Sequence, residues 1–181
     1  MDEEFTEELK TTEHEKDVGV TFSGDLKFNK HISNIINKGN QITGLIKRSF
    51  VYLDKTMLIK LYKSLVRPHL EYANVIWHPM YKNQLKALEK VQRRVTKLLP
   101  EIRDKTYKER LIDLKLPSIK FRQIRGDLIQ TFKIINNIDN LNCSDFFSFY
   151  DYHTTRGSNL KLQIPGTSPI KKQKKFLIIP G

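Results

Sequence analysis

The chain has 181 residues, enough for one domain or a domain with an appendage. Its formal charge of +12 favours an anionic partner, nucleic acid ahead of a membrane surface, and 39% apolar residues suffice for a buried core. The single cysteine, Cys143, excludes an internal disulfide, the five scattered histidines offer no zinc spacing, and no apolar run is long enough to span a bilayer.

The charge is polarised. Met1 to Asp17 holds eight acidic residues against two lysines, so the remainder carries +18. Such a leader reads as a solvated, disordered segment over residues 1–16. It lacks an apolar stretch of the signal-peptide kind. An intracellular, reduced location, nucleus or cytoplasm, is the expectation.

Val18-Gly19-Val20-Thr21-Phe22 is a short β-type run before the turn residues Ser23-Gly24-Asp25. A lone strand leaves its backbone unpaired, so it needs a partner, either Leu26–Phe28 or sheet outside this chain. A helix starts at Asn29 or Lys30, with Ile32, Ile35, Ile36, Ile42, Leu45 and Ile46 on one face and Lys30, Lys38, Lys47 and Arg48 opposite. Asp54 is placed to cap the next helix, in which Leu58, Leu61, Tyr62, Leu65 and Val66 share a face until Pro68 ends or kinks it. His69 to Trp77 is predicted to be helical and closed by Pro79.

Leu85, Leu88, Val91, Val95 and Leu98 stripe the following helix up to Pro100. Thr106 and Glu109 have capping-box spacing, Pro117 closes that helix, and Ser118 caps a last long one with Ile124, Leu128, Phe132 and Ile135 turned inward. Beyond Asn136 the periodicity fades. Ser144-Asp-Phe-Phe is expected to form at most a short turn. From His153 on, Gly, Pro, Ser, Thr and Lys dominate, including Lys171-Lys172-Gln173-Lys174-Lys175. The predicted fold is mainly α: a small bundle of four to six helices, a short strand or hairpin near the N-terminus and a largely irregular tail.

Catalytic constellations are absent from the sequence. A polymerase holds two metal ions on paired carboxylates, and this chain has no Asp-Asp dipeptide. Asp127 sits in a helical pattern, where a solvated or salt-bridged role is expected. The basic stripe is the stronger feature. Lys86, Lys90, Arg93 and Lys97 fall on one helical face opposite the apolar stripe, with Arg94 beside them. Between residues 85 and 125 there are thirteen basic residues against five acidic. A cation row of this kind can follow a phosphate backbone. Lys86, Lys90, Arg93, Arg94 and Lys97 are the first candidates for phosphate contact, Arg122 and Arg125 the second. Among possible stacking aromatics, Tyr62, Tyr72 and Trp77 fall on apolar stripes and read as core. Tyr81 and Tyr107 lie near helix breaks, and Phe121 is a further candidate.

Several motifs in order carry a family resemblance. Glu15-Lys16-Asp17-Val18-Gly19-Val20, Leu26-Lys-Phe28-Asn-Lys-His31-Ile32, and Asn40, Gly44, Ile46 and Arg48 are followed by Leu61 to Ala73 (LYKSLVRPHLEYA) and Trp77-His-Pro79. Glu89-Lys-Val-Gln-Arg-Arg94, Leu116-Pro117, Arg122, Arg125-Gly126-Asp127-Leu128 and Arg156-Gly157 come after them. Together they resemble the end of the palm, the thumb and the following region of reverse transcriptases from jockey-like non-LTR retrotransposons (LINEs). The resemblance covers roughly residues 15 to 162. The fingers, the catalytic Asp-Asp turn and, past Ile164, the family's downstream pattern are missing.

Charge, periodicity and the resemblance together divide the chain into an acidic leader (1–16), a short β element resembling the last palm strand (17–28), a helical thumb-like domain (29–136) and a loop-rich basic tail (137–181). The resemblance implies a nucleic-acid-binding fragment of an RNA-directed DNA polymerase that grips template–primer and is no enzyme on its own. RNA, DNA or an RNA–DNA hybrid is the implied partner, together with the missing palm and fingers, and no membrane. No cofactor is implied for this chain; Mg2+ belongs to the missing palm. Two alternatives remain open: a decayed remnant of a retroelement reading frame, and a non-catalytic part of a polymerase whose palm is a separate chain.

Overall fold

The computed structural model describes residues 12–149 and 162–163. The expectations for the leader before residue 12, for Arg156-Gly157 and for the lysine run at 171–175 lie outside the described residues.

The chain enters through a two-stranded hairpin. Strands β1 (His14–Asp17) and β2 (Val20–Ser23) pair antiparallel, with Asp17 opposite Val20 and His14 opposite Ser23. Val18 and Gly19 connect them with φ of 43° and 81°, the positive values that a two-residue primed turn demands. The partner strand therefore lies upstream, with His14 to Lys16 in the segment read as leader, and not in Leu26–Phe28. Leu26 and Phe28 themselves take positive φ, and the Leu26 N–H turns back to the Ser23 carbonyl (2.9 Å), which ends the strand. The hairpin is docked: Val20 is buried, the Thr21 N–H donates to His31 Nδ1 (3.2 Å), and the Tyr72 hydroxyl donates to the Val18 carbonyl (3.0 Å).

Seven α-helices follow among the described residues, two of them joined through a π turn into one stretch, so the mainly α architecture is as the periodicity predicts. Helix α1 (Asn29–Ser49) packs on the later helical segments that carry Leu70 and Val91. Its Gly39 sits at that crossing, where a Cβ would stand 3.1 Å from both Leu70 Cδ2 and Val91 Cγ1. Only glycine allows this approach without displacement. Leu45, expected on the apolar face, is exposed.

Helix α2 (Lys55–Leu61) begins at Asp54, whose carboxylate accepts the Met57 N–H (2.7 Å). It runs through a π-helical turn (Tyr62–Val66) into α3 (Arg67–Glu71). Pro68 therefore does not end the helix. Proline lacks the N–H for an i−4 bond and its ring crowds the preceding turn. The widened turn, with Arg67 N–H bonded to the Tyr62 carbonyl, absorbs both. The same turn shifts the register, so Leu65 faces solvent while Tyr62, Val66 and Leu70 stay buried.

The helix breaks at Tyr72-Ala73, where Ala73 has a φ of 52°, and α4 (Asn74–Trp77) follows. Helix α5 (Lys82–Thr96) runs through the middle of the bundle, touching α1 and the two helices that follow it in the chain. Helix α6 (Tyr107–Asp113) carries the expected capping box, with Thr106 N–H bonded to Glu109 Oε2 (2.7 Å). Helix α7 (Ile119–Ile135) starts at Ser118, whose hydroxyl accepts the Phe121 N–H (3.2 Å).

The orientation of α7 departs from its hydrophobic pattern. Ile119, Gln123, Asp127 and Ile134 are buried, Ile124 and Ile135 are half-buried, and Leu128 and Phe132 are 50% and 60% exposed. Two contacts, with α4 and with the residue that follows it, accompany this rotation. Asp127 Oδ2 lies 2.9 Å from His78 Nδ1, and a Cβ on Gly126 would come within 3.2 Å of the Asn74 carboxamide. The glycine side lets α7 approach α4 closely, and Asp127 beside it comes within ion-pair distance of His78, so the polar seam turns in.

His31 couples the hairpin to the bundle. Its ring is buried edge-on to Trp77 at 5.3 Å, and burial, aided by the Lys16 charge, lowers its pKa from the ordinary 6.5. The folded state therefore favours the neutral ring, whose Nδ1 lone pair holds Thr21. Stability from this group is fully present above pH 6.5 and is lost as pH falls through the lowered folded value. Urea unfolding at mildly acidic and mildly alkaline pH should show a larger acid loss for the wild type than for His31→Asn. Equal losses in the two proteins would remove His31 from the explanation.

Candidate nucleic-acid interface

The cation row is built on α5, and the helix is held at its start and along its inner face. At its start Gln84 accepts the Tyr81 N–H (3.2 Å) and donates to Asn29 of α1 (2.6 Å). At its inner face Leu88, Val91, Gln92 and Val95 are buried, which turns Lys86, Lys90, Arg93, Arg94 and Lys97 outward, all exposed.

Lys90, Arg93, Arg94 and Lys97 line one wall of a groove of about 1180 Å³. The end of α1 contributes Thr43, Gly44 and Lys47. The loop from Phe50 to Leu53 and the stretch from Pro100 to Arg110 complete it. Its lining holds eight basic residues and one carboxylate, Glu101. Among the described residues, no carboxylate lies within ion-pair distance of Lys47, Lys90, Arg93, Arg94, Lys97 or Arg103. Lys105 is different: it is paired with Asp113 at 2.8 Å, and that hydrogen bond raises its pKa.

Glu89, the acidic residue within the row, does not neutralise it. Its carboxylate accepts the Ile119 N–H at the start of α7 (3.1 Å) and the Tyr107 hydroxyl. Burial and this acceptor raise the Tyr107 pKa, so the phenol keeps its proton and donates. Arg93 lies over the Tyr107 ring with its guanidinium carbon 4.6 Å from the centroid. That contact orders Arg93 at the groove wall and covers one face of the ring, so Tyr107 is a support for a cation.

The remaining candidates separate. Lys86 continues the row beyond the groove, and Arg125 is exposed on α7 away from it. Arg122 is corrected from phosphate ligand to core residue. Its side chain is 8% exposed, and it donates to Glu71, Pro117 O (2.7 Å), the Tyr62 hydroxyl (2.7 Å) and Gln92 Oε1 (3.0 Å). Arg110 is likewise internal, bonded to Thr96 Oγ1 (3.0 Å) and to the carbonyls of Arg103 (3.3 Å) and Lys105 (2.6 Å), and it shapes the turn that closes the groove. Tyr62 and Trp77 are core residues, as their stripes predict, whereas Tyr72 is half exposed.

Lys47, Arg103 and Tyr52 join the groove without having been site candidates. Nothing local marks Lys47, because only the crossing of α1 over α5 brings it to Lys90. Tyr52 carried a readable sign: four successive apolar residues, Phe50 to Leu53, between two helices.

Among the described residues no three His, Cys, Asp or Glu side chains gather as a metal site, and no helix is long and apolar enough to cross a membrane. No protein family, curated protein or solved structure matches the chain.

Proposed function

We propose that the chain is a nucleic-acid-gripping, thumb-like fragment of a non-LTR retrotransposon RNA-directed DNA polymerase, without the carboxylate pair of the palm and without catalysis of its own. The carrying observation is the row Lys90, Arg93, Arg94 and Lys97, lining a groove and free of carboxylate partners among the described residues. The order of motifs from Glu15 onward supports the family origin. Mg2+ belongs, in this reading, to the separate palm.

The mechanism is electrostatic grip. Lys90 to Lys97 rises about 10 Å along the helix, roughly three phosphate steps of one strand. Lys47 and Arg103 supply charge from the neighbouring walls. Contacts to phosphate position a duplex or hybrid without reading its sequence, which suits a part that must slide along template–primer.

Reversing Arg93 and Arg94 to glutamate should weaken binding of an RNA–DNA hybrid by roughly 10- to 100-fold. The slope of log affinity on log salt should flatten by about 2, close to 0.9 for each lost phosphate contact. Fluorescence anisotropy across a salt series measures both. Unchanged affinity in the folded variant would place the grip on another face.

A further inference from the structure

We infer that the groove takes an unpaired strand, with a base stacked on Tyr52 and the backbone on the α5 cations; this rests on the nucleic-acid reading above and narrows it. The Phe50–Leu53 loop is short and pinned at both sides. Phe50 N–H closes α1 on the Ile46 carbonyl (3.2 Å), Asp54 caps α2, and the Phe50 and Leu53 side chains pack against the core. With its ends so held, the loop projects the two residues between. Val51 is fully exposed and Tyr52 is 85% exposed.

Core packing does not use Tyr52, and its hydroxyl has no hydrogen bond among the described residues. The ring is nonetheless part of the groove lining, facing a space shared with the cation row. It is also the available platform: Arg93 covers Tyr107, and Phe50 is turned partly into the core. An exposed aromatic beside a phosphate-following cation row is the pairing that holds single strands. The ring needs a free π-face, which a base inside a duplex does not offer because its neighbours occupy it. An unpaired base, or the end of a strand leaving a duplex, does.

The test compares the full chain with Tyr52→Ala, Tyr52→Phe and the Arg93→Glu, Arg94→Glu double variant. The probes are a labelled oligo-thymidylate strand about 12 nucleotides long and a blunt RNA–DNA hybrid of the same length. Tyr52→Ala should lose roughly tenfold on the single strand, from ~1–3 kcal/mol per stacked base, with its salt slope unchanged. Tyr52→Phe should retain wild-type affinity, and the hybrid should respond to neither change.

Wild-type affinity of Tyr52→Ala for the single strand overturns the inference. If the double arginine variant is then weak on both probes, the nucleic-acid reading stands without it. If that variant also binds both probes normally, the α5 groove is not the nucleic-acid face and the placement of the grip there falls as well. A third arm uses phosphatidylcholine–phosphatidylserine vesicles. Vesicle binding that is lost in Tyr52→Ala, with single-strand affinity intact, makes the loop a membrane-inserting tip and overturns the inference.

Discussion

Replacing Arg122 with methionine should destabilise the fold by about 3–5 kcal/mol, the cost of removing one partner from a buried ion pair. For a chain of this size that is roughly a 10 °C fall in Tm. The guanidinium is the hub of a polar network inside the bundle. It meets Glu71 from α3, the Tyr62 hydroxyl from the π turn, Gln92 from α5 and the Pro117 carbonyl before α7. Tyr62 in turn donates to Gln92 (2.8 Å), and burial raises its pKa to about 12, so it stays a neutral phenol.

Without Arg122, Glu71 keeps Arg67 (2.9 Å) but loses its buried partner, and Tyr62 and Gln92 lose a charged donor. Lysine at 122 should recover little, since one ammonium cannot reproduce the forked geometry. The double change Glu71→Met, Arg122→Met should be milder than the sum of the singles, by about 0.5–3 kcal/mol. Thermal unfolding followed by circular dichroism measures all four. An Arg122→Met protein within about 0.5 kcal/mol of wild type would show that the network is not what joins α7 to the bundle.

The second large effect is expected at Trp77. Its truncation to alanine should cost about 3–5 kcal/mol. The indole has no exposed surface, its Nε1 donates to the Tyr72 carbonyl (2.7 Å), and the His31 ring meets its face. Trp77 thus stabilises the break after α3, the four-residue α4 and, through His31, the docked hairpin. Phenylalanine should recover part of the loss, because it refills much of the volume but leaves the Tyr72 carbonyl without its donor. Urea unfolding of the two variants gives the comparison. Equal stability of Trp77→Ala and wild type would mean that α4 contributes little to the fold.

Much of the fold is legible one helix at a time. Asp54, Thr106 and Ser118 cap the helices they were expected to cap. The stripe of Leu88, Val91 and Val95 is buried and its opposite face is exposed. These features are local: a cap acts within one turn, and a 3.6-residue period is complete within one helix.

Of the misreadings, one is a local turn and two involve residues whose environment comes from far along the chain. The Val20 strand pairs upstream because Val18-Gly19 make a tight turn, although Val18 is an unusual residue for positive φ. Leu128 and Phe132 face out because Asp127 and Gly126 meet α4. Arg122 looked like its basic neighbours, yet Glu71, 51 positions earlier, draws it inward.

The sequence by itself determined the helical class, the helix starts and the outward row from Lys86 to Lys97, because spacing and capping act over a few residues. Which of those cations share a groove was decided only by the tertiary structure. The crossing of α1 over α5 at Gly39 delivers Lys47 and the Tyr52 loop to Lys90, Arg93, Arg94 and Lys97. The polar network inside withdraws Arg122 from the surface. Both outcomes depend on contacts between residues tens of positions apart, which no local pattern contains.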